Sequence, residues 1–340
     1  MIDYDNKNLI QYDTVKFRTN IKYLKSQYVK FNEQYNPKNG QITGLIYSSK
    51  NDTSIPFDLF IGVSYTKQSM TIEFSSKILL DDYPKLITSH TFRKCLENIE
   101  FLGICSLDID SILQDSHFTK LHVTKDILFE LTDTNLDILN SLVTNYRRFK
   151  WKHYEKEGIT FTKDVKSKDC KEQLTVYNKG KEILLAKNQK FLSKLNSPSK
   201  VIQYFNDKTR VEVALENTNK IMDYLDVPDT HIKNIFSSTE NPILYQFNRI
   251  FGHMESDKDI KLSSQDEFFL SKTIMFYNYE LKQIEQELKN SKVYSTRSGL
   301  SKKMKQIVQL STQMQQASKN NSIILDDIRN KLENHTIYSI

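Results

Sequence analysis

Cysteine, proline and glycine are all scarce in this 340-residue chain, at three, six and eight residues. The cysteines, Cys95, Cys105 and Cys170, are odd in number, contain no Cys-x-x-Cys pair and show no zinc spacing. That excludes a disulfide framework and a zinc module and points to a reducing compartment. No apolar run approaches the roughly 20 residues of a membrane span. The first residues, Met1-Ile2-Asp3-Tyr4-Asp5, have neither the basic nor the apolar region of a signal peptide. The expectation is a cytoplasmic protein with no membrane partner.

What is present suits a folded, mildly basic protein. Hydrophobic residues make up 38% and aromatics 11%, enough for a sizeable core in one large domain or two ordinary ones. The net charge of +6 is compatible with a polyanionic partner. Its distribution is more informative. Arg147, Arg148, Lys150 and Lys152 cluster beside Trp151 and Tyr154. Lys163, Lys166, Lys168 and Lys171 follow, and Arg297, Lys302, Lys303 and Lys305 form a third group. Single clusters of this kind are ordinary solvated faces; three in one chain suggest phosphate contacts.

Periodicity divides the chain into a β-rich first part and a helical last part. Alternation marks strands at Thr14–Arg18, Asp58–Tyr65, Met70–Phe74, Phe118–Phe129, Leu174–Lys179 and Thr209–Leu215. Asn36-Pro37-Lys38-Asn39-Gly40 is a turn. Helices are expected over 85–100, from Asp133 to about Tyr154, and over 180–194. After about residue 216 the period is helical, with segments at 221–225, 243–251, 267–288, 298–314 and 322–332. The expected fold is α+β: an antiparallel sheet with helices on one face, a polar active-site face opposite, and a mainly helical C-terminal region. The division is expected at 1–235 for the sheet-bearing domain and 236–340 for a helical, basic C-terminal region.

Four of these strands repeat one design, with an apolar face for packing and ionisable groups on the other. Those groups are Glu73; His122 and Asp126; Tyr177 and Lys179; Arg210 and Glu212. Carboxylates and an imidazole suit Mg²⁺ or Mn²⁺, and such an ion polarises a phosphodiester. A tyrosine hydroxyl becomes a useful nucleophile when a cation stabilises its anion. Each residue alone is an ordinary strand residue; their repetition on one face carries the reading.

Four blocks in order resemble a known family, the trans-acting replication initiators of rolling-circle plasmids, with the filamentous-phage replication proteins and some relaxases as relatives. The blocks are Met70-Thr71-Ile72-Glu73-Phe74, Phe118 to Asp126 (Phe-Thr-Lys-Leu-His-Val-Thr-Lys-Asp), Val176-Tyr177-Asn178-Lys179-Gly180-Lys181-Glu182 and Arg210-Val211-Glu212-Val213. The resemblance implies that Tyr177 nicks single-stranded origin DNA through a phosphotyrosine intermediate. It also implies a metal site built by Glu73, Asp126, Glu182 and Glu212. The family usually has an acid where this chain has His122; a histidine there still ligates a divalent metal and shifts preference toward Mn²⁺. Lys179 and Arg210 are expected to stabilise charge at phosphorus.

Expected partners are an origin hairpin with its flanking duplex, a host helicase and polymerase in a bacterial cell, and a second copy in a homodimer. Arg147, Arg148, Lys150, Lys152, Arg297, Lys302, Lys303 and Lys305 are the expected DNA contacts. The C-terminal helices are expected to read duplex, so that deleting 240–340 spares nicking and loses origin preference. A relaxase of a mobile element and a non-catalytic DNA-binding protein on the same fold are the alternatives.

Overall fold

The computed structural model describes residues 10–52, 54–142, 149–154, 158–163, 172–251, 262–277, 280–316 and 319–333. Twelve strands lie among them: β1 Tyr12–Asn20, β2 Leu24–Gln27, β3 Asn32–Tyr35, β4 Ile42–Ser48, β5 Leu59–Ser64, β6 Ser69–Ser75, β7 Cys105–Leu107, β8 His117–Leu128, β9 Phe149–Tyr154, β10 Gly158–Lys163, β11 Gln173–Asn178 and β12 Lys208–Leu215. Ten of them form one antiparallel sheet in the order β3-β4-β5-β6-β1-β8-β12-β11-β10-β9, and β2 pairs with β7 apart from it. The α+β class and the antiparallel sheet expected from alternation are therefore observed.

Helices fill the connections: α1 Phe92–Phe101, α2 Ile109–Asp115, α3 Asp133–Leu142, α4 Lys179–Ile183, α5 Ala186–Leu192, α6 Pro198–Phe205, α7 Thr218–Leu225, α8 Ile232–Ser237 and α9 Pro242–Phe251. The C-terminal region adds α10 Gln265–Phe276, α11 Leu281–Asn290, α12 Arg297–Gln316 and α13 Lys319–Glu333. Among the described residues no helix is long and apolar enough to cross a membrane.

Cross-strand register sorts the residues by face. Val15, Phe17, Ile72, Phe74, Leu121, Val123, Val211, Val213, Leu174 and Val176 share one face and are buried. The Phe92 ring of α1 packs edge-on against Phe17 and Phe118, each at 5.6 Å between centroids. Phe251 of α9 meets Phe161 of β10 at 5.3 Å. Burying such rings is worth roughly 1.5–3 kcal/mol each, which fixes the sheet's inner side.

Three expectations change. The helix expected from Asp133 to Tyr154 is seen over Asp133–Leu142, and Phe149–Tyr154 is instead the edge strand β9, paired with β10. Hydrogen bonds to β10 outweigh the helical spacing of the apolar residues, a tertiary override of a local signal. The helix expected over 85–100 begins at Phe92, preceded by a 3₁₀ segment, Ser76–Lys85. The polar face is not bare, because Ser76–Lys85 and the α4–α6 segment lie over part of it, as the contacts of Tyr83 and Phe205 below show.

The division expected at residue 236 does not follow the packing. Ile243, Phe247, Ile250 and Phe251 of α9, with Leu325, Ile328 and Leu332 of α13, belong to the same core as the sheet. Lys125 Nζ of β8 donates to the Leu332 carbonyl at 2.7 Å, and Asn241 Nδ2 donates to the same oxygen at 3.0 Å. A separate cluster of Leu270, Ile274, Ile284, Ile307, Leu310 and Met314 joins α10, α11 and α12. A cut at 240 would strip Phe247 and Phe251 from the main core, so that deletion tests folding rather than origin preference.

Candidate active site

Strand pairing brings the expected polar residues to one face. Tyr177 of β11 lies opposite Arg210 of β12, which lies opposite Asp126 of β8. Glu212 lies opposite Thr124 on one side and Thr175 on the other. Asn178 then caps α4, its Oδ1 accepting from the Lys181 amide at 2.9 Å. That cap ends the strand directly after Tyr177 and turns Lys179 and Glu182 back over the sheet. Gly158 of β10 lies opposite Tyr177, and a Cβ there would stand 2.4 Å from the Tyr177 Cβ. Only glycine leaves the tyrosine its place.

The half-buried Tyr177 donates from its hydroxyl to Glu212 Oε1 at 2.9 Å. Burial, then the neighbouring Glu212 charge, hold the phenol well above its usual range. Burial and the Asp13 charge push the Glu212 carboxyl up in turn. The pair is thus a neutral phenol hydrogen-bonded to a carboxylate of raised proton affinity.

Two buried cations sit beside this pair. Arg210 is fully buried, donating to Asp126 through Nε (2.6 Å) and NH2 (2.9 Å), and through NH1 to Asp13 (2.7 Å) and the Tyr83 hydroxyl (3.2 Å). Lys179, 2% exposed, pairs with Glu182 at 2.6 Å among the rings of Tyr83, Phe205 and Tyr177. Burial opposes ionisation of Glu182, but Lys179, Asn188 and Lys187 together hold its carboxyl far below the usual range.

Asp13 was not among the residues singled out from the sequence. Strict alternation from Val15 and Phe17 places it on the apolar face. A register shift between Tyr12 and Thr14 inserts one extra residue and turns it to the polar side. There it also accepts from Ser76 Oγ at 2.8 Å. Burial would raise its carboxyl, but the Arg210 and Lys179 charges override this and hold it low. Tyr83 and Glu216 were missed as well, the first because it comes from a covering segment and the second because it lies just past the end of β12.

Of the five residues expected to bind a metal, Glu73, His122, Asp126 and Glu212 share the sheet face and Glu182 lies on α4, but the five form no common centre. Glu73 takes Lys16 and Lys120, Asp126 takes Arg210, Glu182 takes Lys179 and Lys187, and Glu212 takes Tyr177. His122 Nε2 lies 3.3 Å from Glu216 Oε1. Among the described residues no group of three or more His, Cys, Asp or Glu side chains stands where it would hold a metal ion. As placed, the donor set does not fit a divalent cation, because lysines and an arginine hold the carboxylates such an ion would need.

Of the expected DNA contacts, Arg147 and Arg148 lie outside the described residues, as do Lys166, Lys168 and Lys171. Lys150 and Lys152 fall on β9, in register with Thr162 and Thr160. Arg297, Lys302 and Lys305 are exposed on α12, whereas Lys303 is paired with Asp266 at 2.7 Å. The chain matches no protein-family model, and no curated protein matches it.

Proposed function

We propose that the protein nicks and rejoins single-stranded DNA, with Tyr177 as nucleophile. The observation that carries this reading is the Tyr177 hydroxyl held on a carboxylate, Glu212, on the strand position next to the buried guanidinium of Arg210. As the phenol oxygen bonds to phosphorus, its proton passes to Glu212, the raised proton affinity of which suits a base. The bond from phosphorus to the 3′ oxygen breaks, and that oxygen takes a proton from solvent. The products are a 5′-phosphotyrosine ester and a free 3′-OH able to prime synthesis, as in a rolling-circle initiator. Rejoining is the reverse transfer. Arg210 and Lys179 are too deeply buried to grip a phosphate from solvent. Paired with Asp126, Asp13 and Glu182, they act as pre-oriented ion pairs beside the forming pentacovalent phosphorus, in a low-dielectric setting where fixed charges are effective.

The test is a covalent adduct. The protein is incubated with a labelled single-stranded hairpin, in Mg²⁺ or Mn²⁺ and separately in chelator, and resolved on a denaturing gel. The expected result is a labelled protein band that Tyr177→Phe removes while leaving binding intact. The scattered expected ligands favour a second reading, a DNA-binding protein that does no chemistry. Absence of any adduct under all these conditions would establish that reading over the first.

A further inference from the structure

Away from Tyr177 the polar face carries a second set of side chains with no part in the chemistry above. Phe60, Glu73, Lys16 and Lys120 are direct partners across β5, β6, β1 and β8. They form one straight row over four strands, roughly 14 Å long at about 4.8 Å per strand. Lys16 Nζ and Lys120 Nζ each lie 3.1 Å from the Glu73 carboxylate. Lys16 Nζ stands 5.8 Å from the Phe60 ring centroid. Arg18, opposite Thr71, is exposed beside them.

This row differs from the buried charges beside Tyr177 in reaching solvent. The side chains of Lys16, Glu73 and Lys120 are 35%, 24% and 21% exposed. Lys16, Lys120 and the exposed Arg18 face two carboxylates, Glu73 and, 3.7 Å from Lys120 Nζ, Glu216, so the row keeps a surplus of positive charge, and Glu73 holds both amines in place. A phosphate arriving there finds its donors already ordered and loses little to their immobilisation. A half-buried aromatic ring next to solvent-facing cations is the pairing that binds single strands without reading sequence: the ring stacks a base and the cations follow the backbone. Along β8 the row lies six residues from Asp126, roughly 20 Å at 3.3 Å per residue, so a strand seated there leads toward Tyr177.

We infer that this row is a second subsite for single-stranded DNA, in which Lys16 and Lys120 take a backbone phosphate and Phe60 stacks a base flanking the bond that Tyr177 attacks. Its role in nicking rests on the proposed function, whereas its binding of a single strand does not.

Two measurements separate them. In Tyr177→Phe protein, anisotropy of a fluorescent single-stranded oligonucleotide reads binding alone. Phe60→Leu is expected to weaken it about tenfold, and Phe60→Trp to preserve it. Glu73→Gln, whose amide oxygen still accepts from the amines but carries no charge to compete with a phosphate, is expected to tighten it. Lys16→Gln with Lys120→Gln is expected to lower the salt slope by about 0.7, the value for the one phosphate contact that the pair makes. If the double variant fails to fold, Phe60→Leu and Glu73→Gln decide. Binding within twofold of the parent for both, with unchanged melting, overturns the subsite. With Tyr177 intact, adduct formation reads nicking. An adduct whose KM ignores these substitutions sinks the subsite and leaves nicking standing. Weakened binding without any adduct in the parent does the reverse.

Discussion

Replacing Arg210 by methionine is expected to be among the most damaging single changes in the protein. The guanidinium is fully buried and meets Asp126 through two bonds, of 2.6 and 2.9 Å, and Asp13 at 2.7 Å. The Asp126 side chain is only 3% exposed and that of Asp13 21%, so neither regains full hydration when the cation goes. Breaking a buried pair by removing one partner costs about 3–5 kcal/mol, because a charge is left uncompensated. At roughly 2–4 °C per kcal/mol for a unit of 150–250 residues, melting should fall by about 6–20 °C. Adding Asp126→Leu should recover part of that loss, since an apolar pair in place of an ion pair is often close to neutral. The double variant should nevertheless form no adduct. The assay is thermal unfolding by far-ultraviolet circular dichroism for the parent, each single variant and the double. Melting of Arg210→Met within about 3 °C of the parent, or losses in the double that simply add, would refute the reasoning, because additivity is what unlinked sites show.

Other substitutions probe the neighbouring groups. Glu212→Gln should lower the rate of adduct formation by about a hundredfold or more. Because the Glu212 carboxyl is raised, the parent's rate should climb with pH along an acid limb lying above the ordinary glutamate value of 4.5; an unchanged limb in the variant would clear Glu212 of the role of base. Gly158→Ala drives a methyl group to within 2.4 Å of the Tyr177 Cβ, so melting should drop by the equivalent of about 1–3 kcal/mol and the rate with it; normal values for both would show that the close approach does not matter. Glu182 has a folded pKa below its ordinary 4.5. Its stabilisation is therefore complete above that pH and is lost as pH falls below it toward the folded value. Glu182→Gln should melt lower than the parent at neutral pH, with the gap narrowing on acidification; a gap independent of pH would sink the linkage.

The faces of β8, β11 and β12 were legible because period-two alternation is a local property. Val123, Val176 and Val211 point one way and Asp126, Tyr177 and Arg210 the other in the sequence pattern and in the structure alike. Asp13 was hidden because a bulge breaks alternation, and a bulge arises from how two strands pair. β9 was hidden because Phe149 continues the helical spacing begun at Leu136, and only its pairing with β10 makes Phe149–Tyr154 extended. Of the expected ligands, Glu73, Asp126 and Glu212 were legible as a shared strand face, not as a shared centre, and Glu182, which the resemblance added, lies on α4.

The order of apolar and ionisable side chains along the chain was enough to specify an antiparallel sheet with one oily and one charged side, because each residue's direction follows from its neighbours in sequence. Which counter-charge each acid meets was decided only in three dimensions, by strand order, register and the segment Ser76–Lys85 folding back over the sheet. Electrostatic energy depends on separation and burial, and residues as distant in sequence as Asp13, Asp126 and Arg210 acquire both only when the strands close upon one another.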